Sequence, residues 1–592
     1  MTITAKLELL RNEMRNASVD ALIIPANDPH QSEYVAPCWQ TRQYFSGFTG
    51  SAGLLVVLAD YAALWTDSRY FLQAEMELKD SGIVLHRQQV QHAPEHIAWL
   101  GEILAEQSVI GVEANLFSIQ QIAFMQASFK RQNISIQNVE GISSKAWPNR
   151  PGLPSSMVYA HDVQFTGNSR IQKINLVREK MQQLGTANYF IAALDEIAWL
   201  LNIRAWDIDY TPVALCYCLV TLDRVELFIE DYKIPATLKS QLEEANIFCH
   251  DYKEVSPRLN NLSQSDTIYV DKASLSWYLF TVIRSKIIEG TSLIMPIMAI
   301  KNKTEIGHFR SVMIKDGLAL THFFKWLEQR VASKPILESD VAEKLTGFRA
   351  AQADYVGDSF ASIVGYKSNG AIVHYRAQEA TAAAIQNEGM LLIDSGGQYL
   401  NGTTDITRMC YFGIPSEEEK KHYTLVLKGN IALQTAHFPK GTTGVQLDVL
   451  ARMNLWNQGL NYGHGTGHGV GFFLRVHEPP QGFAESTTTT RGSTALMEGT
   501  VTSNEPGFYK TDAYGIRIEN LMLCQQSTLH PDFLCFEVLT LFPIETKLID
   551  KNLLSTKEID WLNNYHEKVY ASLSPFLEEP AKTWLFSKCQ AI

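Results

Sequence analysis

The chain has 592 residues, of which 46% are apolar and 19% charged, and its formal net charge is −12. This length exceeds what one hydrophobic core usually organises, so we expect several globular domains. The acidic balance argues against a surface that binds nucleic acid or an anionic membrane. Composition therefore indicates a soluble protein whose partners are neither nucleic acids nor membranes.

The first predicted elements are a helix and a strand. Apolar residues recur at helical spacing at Ile3, Leu7, Leu10 and Met14, and the apolar run at 21–25 then predicts a strand. The helix carries charges where a signal peptide would be apolar, so we expect neither a secretion signal nor a membrane span. Eight cysteines without a paired framework favour reduced thiols in the cytoplasm.

The same pattern returns near residue 170. A second helical stripe is formed by Ile174, Val177, Met181 and Leu184. Gly185 ends that helix, and the apolar run 189–194 predicts a strand. The helix and strand near the N-terminus and the helix and strand after residue 170 resemble two copies of one unit. This repeat predicts two similar α/β domains in tandem.

Two transitions divide the chain. The stretch 147–156 is rich in proline, glycine and serine, as expected of an extended connection. Further on, Thr304 is predicted to cap a helix whose apolar face contains Ile306, Phe309, Met313 and Leu320. We therefore predict domains at 1–160, 161–297 and 298–592.

The clearest candidate site lies in the third domain and consists of four carboxylates and one histidine: Asp394, Asp405, His468, Glu505 and Glu519. Turns at Gly396–Gly397 and Asn401–Gly402 are predicted to bring the two aspartates face to face on neighbouring strands. Five ligands of this kind suit a carboxylate-bridged pair of divalent cations. Oxygen-rich ligation with one imidazole favours manganese, with cobalt or zinc also possible.

Other polar residues surround these ligands in the sequence. His464, His468 and His477 fall in a glycine-rich stretch, where missing side chains let backbone and substrate approach a metal. In the predicted strand 515–520, alternation sends Arg517 and Glu519 to one face, so that the arginine can hold a carboxylate by a charge-assisted bond. The chemistry indicated is hydrolysis by two ions that share a water and polarise a carbonyl.

Several motifs carry a family resemblance. D-x10-D, H-G-x-G-H-G-x-G, N-E-P-G and G-I-R-I-E-N resemble the pita-bread metallopeptidases, the fold of methionine aminopeptidase, prolidase and aminopeptidase P. GFTGSAG and WTDSRYFLQAE, with the tail from LTLFPIETKLID onward, are similar to the long cytosolic Xaa-Pro aminopeptidases. The resemblance implies an α/β (α+β) protein in which two creatinase-type N-terminal α/β domains precede a C-terminal pita-bread catalytic domain.

The resemblance also implies residue roles. Asp394, Asp405, His468, Glu505 and Glu519 would bind two ions, with Asp405 and Glu519 bridging them. His374, on a predicted apolar strand, would position the scissile carbonyl and stabilise the oxyanion together with His464 and His477. Glu505 would orient or deprotonate the bridging water. Tyr509 and Arg517 would shape and brace the pocket.

The implied reaction removes the N-terminal residue from Xaa-Pro peptides by attack of a metal-bridging hydroxide on the scissile carbonyl. An Xaa-Pro bond has no N–H and isomerises slowly, so a site that polarises its carbonyl has an advantage. An apolar shelf flanked by His464, His477 and Tyr509 would take the proline ring of the trans isomer. A cytoplasmic homodimer is also implied. A dipeptide-specific prolidase and a binding scaffold without chemistry are the alternatives.

Overall fold

The computed structural model describes residues 1–89, 93–377 and 381–592. The chain forms two compact units, one of Met1–Val163 and Asn168–Ile294, the other of Gln164–Gly167 and Met295–Ile592. Among the described residues, every helix is too short or too polar to cross a lipid bilayer.

The first half of the first unit is a six-stranded sheet flanked by helices, in the order β4-β3-β2-β1-β5-β6. Strand β1 pairs antiparallel with β2 and parallel with β5. The elements are α1 (Ile3–Asn16), β1 (Ala21–Ile24), α2 (Thr41–Ser46), β2 (Leu54–Leu58), β3 (Ala62–Thr66), α3 (Phe71–Glu77), β4 (Val84–Arg87), α4 (Glu95–Ile103), β5 (Val109–Val112), α5 (Ile119–Phe129), β6 (Ser135–Asn138) and α6 (Ile142–Ala146).

The second half of this unit repeats the arrangement, with a six-stranded sheet in the order β12-β11-β10-β8-β13-β14. The elements along this stretch are β7 (Tyr159–Ala160), α7 (Val163–Thr166), α8 (Arg170–Gln183), β8 (Asn188–Ile191), α9 (Leu194–Leu201), β9 (Ile203–Arg204), β10 (Tyr217–Thr221), β11 (Val225–Phe228), α10 (Ala236–Glu244), β12 (Ile247–His250), α11 (Val255–Asn260), β13 (Thr267–Asp271), α12 (Trp277–Val282) and β14 (Lys286–Gly290). Strand β8 occupies the place of β1, antiparallel to β10 and parallel to β13. The predicted duplication of the α/β fold is confirmed, whereas the exact boundaries remain a prediction.

Both predicted N-terminal helices are present, and their caps explain where they begin. The hydroxyl of Thr2 accepts a hydrogen bond from Ala5 N at 3.3 Å, and Ser169 with Gln172 forms a capping box before α8. The stripes are buried as predicted except at their ends, where Ile3 is only partly buried. Leu184 follows the last residue of α8 and is 46% exposed, because the helix has already ended there.

The second unit combines long helices with several small sheets. Two of these sheets, β17-β19-β22 and β23-β30-β29-β26-β24-β25, carry the candidate ligands. The elements are α13 (Met295–Met298), α14 (Lys303–Ser333), β15 (Ile336–Leu337), α15 (Glu338–Ala350), β16 (Tyr355–Asp358), β17 (Ile363–Tyr366), β18 (Ala384–Ile385), β19 (Gly389–Ser395), β20 (Gly397–Tyr399), β21 (Gly402–Thr403), β22 (Ile406–Phe412), α16 (Glu417–Gln434), β23 (Phe438–Pro439), α17 (Gly444–Trp456), β24 (Gly467–Gly469), β25 (Glu478–Phe483), α18 (Thr490–Ser493), β26 (Val501–Asn504), β27 (Gly507–Lys510), β28 (Tyr514–Arg517), β29 (Asn520–Gln526), β30 (Phe533–Val538), α19 (Thr556–Leu573) and α20 (Ala581–Lys588).

Three local predictions in this unit were wrong in detail. Helix α14 is capped by Asn302, whose side chain accepts from Thr304 N and Glu305 N, so Thr304 lies inside the first turn. The second turn before Asp405 lies one residue earlier than predicted, between β20 and β21. The predicted strand 515–520 is interrupted, because Ile518 and Glu519 lie outside both β28 and β29.

Candidate metal centre

The five predicted ligands lie on or directly beside strands. Asp394 is the penultimate residue of β19, and Asp405 immediately precedes β22, its antiparallel partner. His468 is the middle residue of β24. Glu505 directly follows β26, and Glu519 directly precedes β29. Strand pairing therefore joins Asp394 to Asp405 in one sheet and His468, Glu505 and Glu519 in another. Contact between the two sheets brings together residues that are more than a hundred positions apart.

Four of the five side chains are joined by short distances. Ligand atoms of Asp405, His468 and Glu519 all lie within 4.8 Å of one another, and all three residues are buried. The Nε2 atom of His468 lies 3.4 Å from Asp405 Oδ2 and 3.3 Å from Glu505 Oε1. One imidazole nitrogen therefore faces two carboxylates.

Arg517 links the fifth carboxylate to this group. Its Nη2 donates to Asp394 Oδ2 at 2.6 Å, and its Nε donates to Thr407 Oγ1 at 3.2 Å. The hydroxyl of Thr407 donates in turn to Glu519 Oε2 at 2.9 Å. The predicted bracing of a carboxylate by Arg517 is thus present, and the carboxylate is that of Asp394.

The backbone and Ser503 orient the histidine. Nδ1 of His468 lies 3.0 Å from Gly469 O, and a carbonyl can only accept, so Nδ1 carries a proton and Nε2 is the nitrogen that faces the candidate metal site. Ser503 Oγ accepts from His468 N at 3.0 Å and donates to Glu505 Oε1 at 3.2 Å. A Cβ at Gly467 would lie 2.0 Å from Ser503 O, so this glycine permits close strand packing.

Burial and mutual repulsion shift the pKa values of these groups. Burial raises the pKa of Glu519 well above its ordinary value, and Asp405 and Glu505 raise it further. Burial likewise raises the pKa of Asp394 to about 7. Burial lowers the pKa of His468, but the hydrogen-bonded Asp405 and Glu505 outweigh this effect and raise it to about 10. The cluster concentrates negative charge that cations would neutralise.

Two buried oxygens support the fit of the donor set to metal ions. Asp394 Oδ1 and Glu519 Oε1 receive no hydrogen bond from any residue in the described part of the chain. A buried carboxylate oxygen without a partner is costly, and coordination to a cation removes that cost. Four carboxylates and one imidazole are donors suited to hard or borderline divalent cations, and together they can hold two.

A second chain of hydrogen bonds leads from Arg517 to the glycine-rich loop. Arg517 Nη1 donates to Tyr509 Oη at 2.7 Å, which lies 2.8 Å from Nε2 of His464. Nδ1 of His464 lies 2.9 Å from Gly465 O and must donate to that carbonyl, so its Nε2 accepts from Tyr509. Burial lowers the pKa of His464 to about 4. His464 is therefore a neutral side chain that holds Tyr509 in place.

The two remaining predicted histidines occupy different settings. The ring of His477 meets that of His468 edge-on, with the ring centroids 4.3 Å apart. The sequence predicted that His374 lies on a strand, and this prediction was wrong. His374 lies in a turn that follows the 3₁₀ helix Lys367–Ala371. Its placement on a loop follows from the end of β17 at Tyr366.

Sequence reasoning missed several residues that support the site. Thr407 and Ser503 bond directly to the predicted ligands Glu519 and Glu505, and a clue for Thr407 was its position two residues after Asp405. The buried Arg452 gave no sequence signal. It donates to Tyr462 O and His464 O, both at 2.7 Å, and forms a 2.6 Å ion pair with Asp448. These bonds hold the backbone of the glycine-rich loop at Tyr462 and His464 in place.

Family models match almost the whole chain. Residues 307–526 match metallopeptidase family M24, and residues 532–592 match the C-terminal region of peptidase M24. Residues 6–144 and 149–305 each match a creatinase/prolidase N-terminal domain. These matches and the donor cluster define the class of the protein as a metallopeptidase with a pita-bread catalytic domain.

Individual relatives narrow the class. The chain is 39% identical to a probable Xaa-Pro aminopeptidase P of Ajellomyces dermatitidis, over 99% of both chains. It is 37% identical to aminopeptidase P2 of Arabidopsis thaliana, over 97% of this chain and 86% of that one. An X-prolyl aminopeptidase of Caenorhabditis elegans, described as cytosolic with a di-nuclear active site, superposes over 100% of both chains with TM-score 0.95 and 34% identity. The chain belongs to the Xaa-Pro aminopeptidase P family.

Proposed function

We propose that this protein is a metal-dependent aminopeptidase that hydrolyses the N-terminal Xaa-Pro bond of peptides. Asp394, Asp405, His468, Glu505 and Glu519 bind its two divalent cations. The observation that carries the proposal is the buried donor cluster, with its two oxygens that receive no hydrogen bond from the described residues. Similarity to Xaa-Pro aminopeptidases along the full chain supports the substrate class.

Glu505 is suited to handle the proton of the attacking water. Burial opposes its ionisation, but the adjacent His468 outweighs burial and holds the pKa of Glu505 below its ordinary value. A carboxylate at this place in the cluster, 3.3 Å from His468 Nε2, could take the proton of the attacking water as a general base. When bound, the cations supply the polarisation of the scissile carbonyl and the acidification of water.

The substrate-facing residues divide into two kinds. His464 and Tyr509 are bonded to each other, so they form an uncharged wall that suits a proline ring. His374 and His477 are the donors for the scissile carbonyl and for the oxyanion that develops from it. Arg517 keeps Asp394 oriented.

Finer properties follow from the donor set and the family. The preferred cation is Mn²⁺, with Co²⁺ or Zn²⁺ as substitutes, because oxygen donors predominate. The enzyme acts in the cytoplasm as a homodimer. Light scattering at micromolar concentration is expected to give about twice the chain mass of 66.6 kDa. A monomer mass would contradict the dimer and leave the proposed chemistry intact.

The function is tested by hydrolysis of Arg-Pro-Pro, Gly-Pro and Arg-Ala-Ala with metal-stripped protein, before and after manganese is restored. We expect release of arginine from Arg-Pro-Pro only when the metal is present, and little cleavage of the other two. Preference for Gly-Pro would identify a prolidase instead. No turnover with manganese, cobalt or zinc would favour a binding scaffold.

A further inference from the structure

One buried carboxylate organises the loop that carries His374. Glu338, the first residue of α15, is fully buried. It accepts hydrogen bonds from Tyr366 N at 2.7 Å, Tyr375 Oη at 2.8 Å and Ala383 N at 2.7 Å. The side-chain amide of Asn369 reaches both of its oxygens, at 3.1 and 3.0 Å. Four donor groups thus converge on one side chain.

All four donors are neutral, which distinguishes this carboxylate from one held in an ion pair. An ionised carboxylate has about four lone-pair sites and no donor, so it can satisfy all of these groups at once. Burial raises the pKa of Glu338, and its hydrogen bonds act in the opposite direction. The hydrogen bonds that it accepts hold this carboxyl group in place.

The residues that form hydrogen bonds with Glu338 lie before and after His374 in the sequence. Asn369 and Tyr375 lie on either side of the histidine, and Tyr366 is the last residue of β17. Asn369 also bonds to Tyr375 Oη at 3.1 Å, which closes the loop on itself. Glu338 therefore fixes the chain before and after His374.

The same loop is pressed against a strand of the metal centre. A Cβ at Gly515 would lie 1.7 Å from Gly370 O, so only glycine lets β28 approach the turn this closely. Arg517, two residues further along β28, bonds to the ligand Asp394. The turn that Glu338 holds through Asn369 thus abuts the strand that braces a metal ligand.

We propose that Glu338 is the positioning residue that presents His374 to the substrate. The inference rests on the role assigned to His374 in the proposed function. Glu338 holds both sides of the loop while β28 supports the turn between them. A displacement of about 1 Å of a group that acts in the transition state can cost about 100-fold in rate, so this anchoring affects turnover.

The test is Glu338→Gln. Glutamine keeps the shape but replaces one acceptor oxygen by an NH₂ group, which faces donors such as the N–H of Tyr366 or Ala383. We expect kcat for Arg-Pro-Pro to fall about 10- to 100-fold, with a smaller change in KM. Mn²⁺ affinity, titrated by electron paramagnetic resonance, should stay within about twofold of wild type, because the described side-chain partners of Glu338 belong to the loop around His374 and not to the proposed metal ligands.

Two comparisons make the test specific. Glu343→Gln, an exposed position on the same helix, should leave kcat, KM and Mn²⁺ affinity unchanged. In a His374→Ala background, Glu338→Gln should cause little further loss of kcat, because the group that it positions is already absent. Equal loss in both backgrounds, unchanged kcat in the single variant, or weakened Mn²⁺ binding would each overturn the proposal.

Two further measurements cover the remaining outcomes. If Glu338→Gln fails to fold, Tyr375→Phe removes a single donor, and we expect a loss of a few fold in kcat that disappears in the His374→Ala background. Unchanged kcat in Tyr375→Phe would count against the role. Hydrogen exchange at Tyr366 N should accelerate in Glu338→Gln even if wild type cleaves no Xaa-Pro peptide, which separates failure of this inference from failure of the proposed function.

Discussion

Asp405 and Glu519 are the proposed ligands whose loss should damage the centre most, because both lie in the cluster with His468. Asp405→Asn and Glu519→Gln keep shape but remove negative charge. We expect each to lower kcat/KM by about 100-fold or more, since even supporting residues around metals cost 10- to 100-fold. Mn²⁺ titration should show fewer than two ions bound. Glu498→Gln, exposed in the same unit, is the matched control, and undiminished activity in either ligand variant would refute the two-ion assignment.

Arg517 acts through its planar fork, which bonds to Asp394, Tyr509 and Thr407 at once. Lysine offers a point charge and cannot reproduce three directed bonds. Arg517→Lys is therefore expected to weaken Mn²⁺ binding about tenfold and to lower kcat, as outer contacts of metal ligands commonly do.

The control for Arg517→Lys is Arg310→Lys, because Arg310 also pairs with a carboxylate through two nitrogens but is half exposed. Exposed pairs contribute little, so this variant should bind Mn²⁺ normally. Equal Mn²⁺ affinities of the two variants would show that the guanidinium group of Arg517 has no special role in metal binding.

At the level of elements, Arg408 links helix α19 to the strands that carry the candidate ligands. From β22 it donates to Glu519 O and to Asn520 Oδ1, and also to Tyr565 Oη on α19 at 2.9 Å. Tyr565 further donates to Phe542 O at 2.9 Å. The region after residue 532 is therefore part of the support of the metal centre.

Tyr565→Phe tests the hydrogen bond between Arg408 and Tyr565. It removes a partner from the buried guanidinium of Arg408, which is expected to cost about 1–3 kcal/mol of stability. Calorimetry should show a lower Tm and a weaker stabilisation by Mn²⁺. Tyr570→Phe on the same helix is the control, since Tyr570 contacts Phe586 through its ring, which phenylalanine retains. A Tm equal to wild type in Tyr565→Phe would contradict this role of the hydrogen bond.

For the whole molecule, buried histidines predict sensitivity to acid. Burial, and then the positive charge of Arg408, lower the pKa of His566 to about 4, and its Nε2 accepts from Ile544 N at 3.1 Å. The unfolded chain takes up a proton below about pH 6.5, whereas the folded chain does not until about pH 4. The stabilising contribution is therefore complete above about pH 6.5 and is lost as the pH falls towards 4.

His566→Gln keeps an acceptor for Ile544 N but cannot be protonated. We expect its Tm to fall less than that of wild type between pH 7 and pH 5, a difference of about 1–2 kcal/mol in stability. His437→Gln, a partly buried histidine bonded to Ser527, serves as the comparison. If Tm fell equally between pH 7 and pH 5 in wild type and in His566→Gln, His566 would not be a cause of the acid sensitivity.

Local pattern was sufficient for much of this protein. The helical stripe of Leu7, Leu10 and Met14, the repeated helix-strand beginning and the chemistry of the five ligands all depend on residue type and spacing, which determine element type and metal preference. Caps and strand ends were less predictable. Thr304 and Asn302 are both good caps in isolation, and the choice depends on which residue leaves the helix first.

Long-range packing determines which groups meet. Arg517 and Asp394 are 123 positions apart, and Arg408 and Tyr565 are 157 apart, so no local spacing relates them. Glu338 similarly acquires its donors from a loop that begins 28 residues later. Residue types and their spacing were enough to predict the duplicated α/β fold and the donor groups of the candidate metal site. Packing decided the partners, because burial removes water and each buried charge must then find its hydrogen bonds within the folded chain.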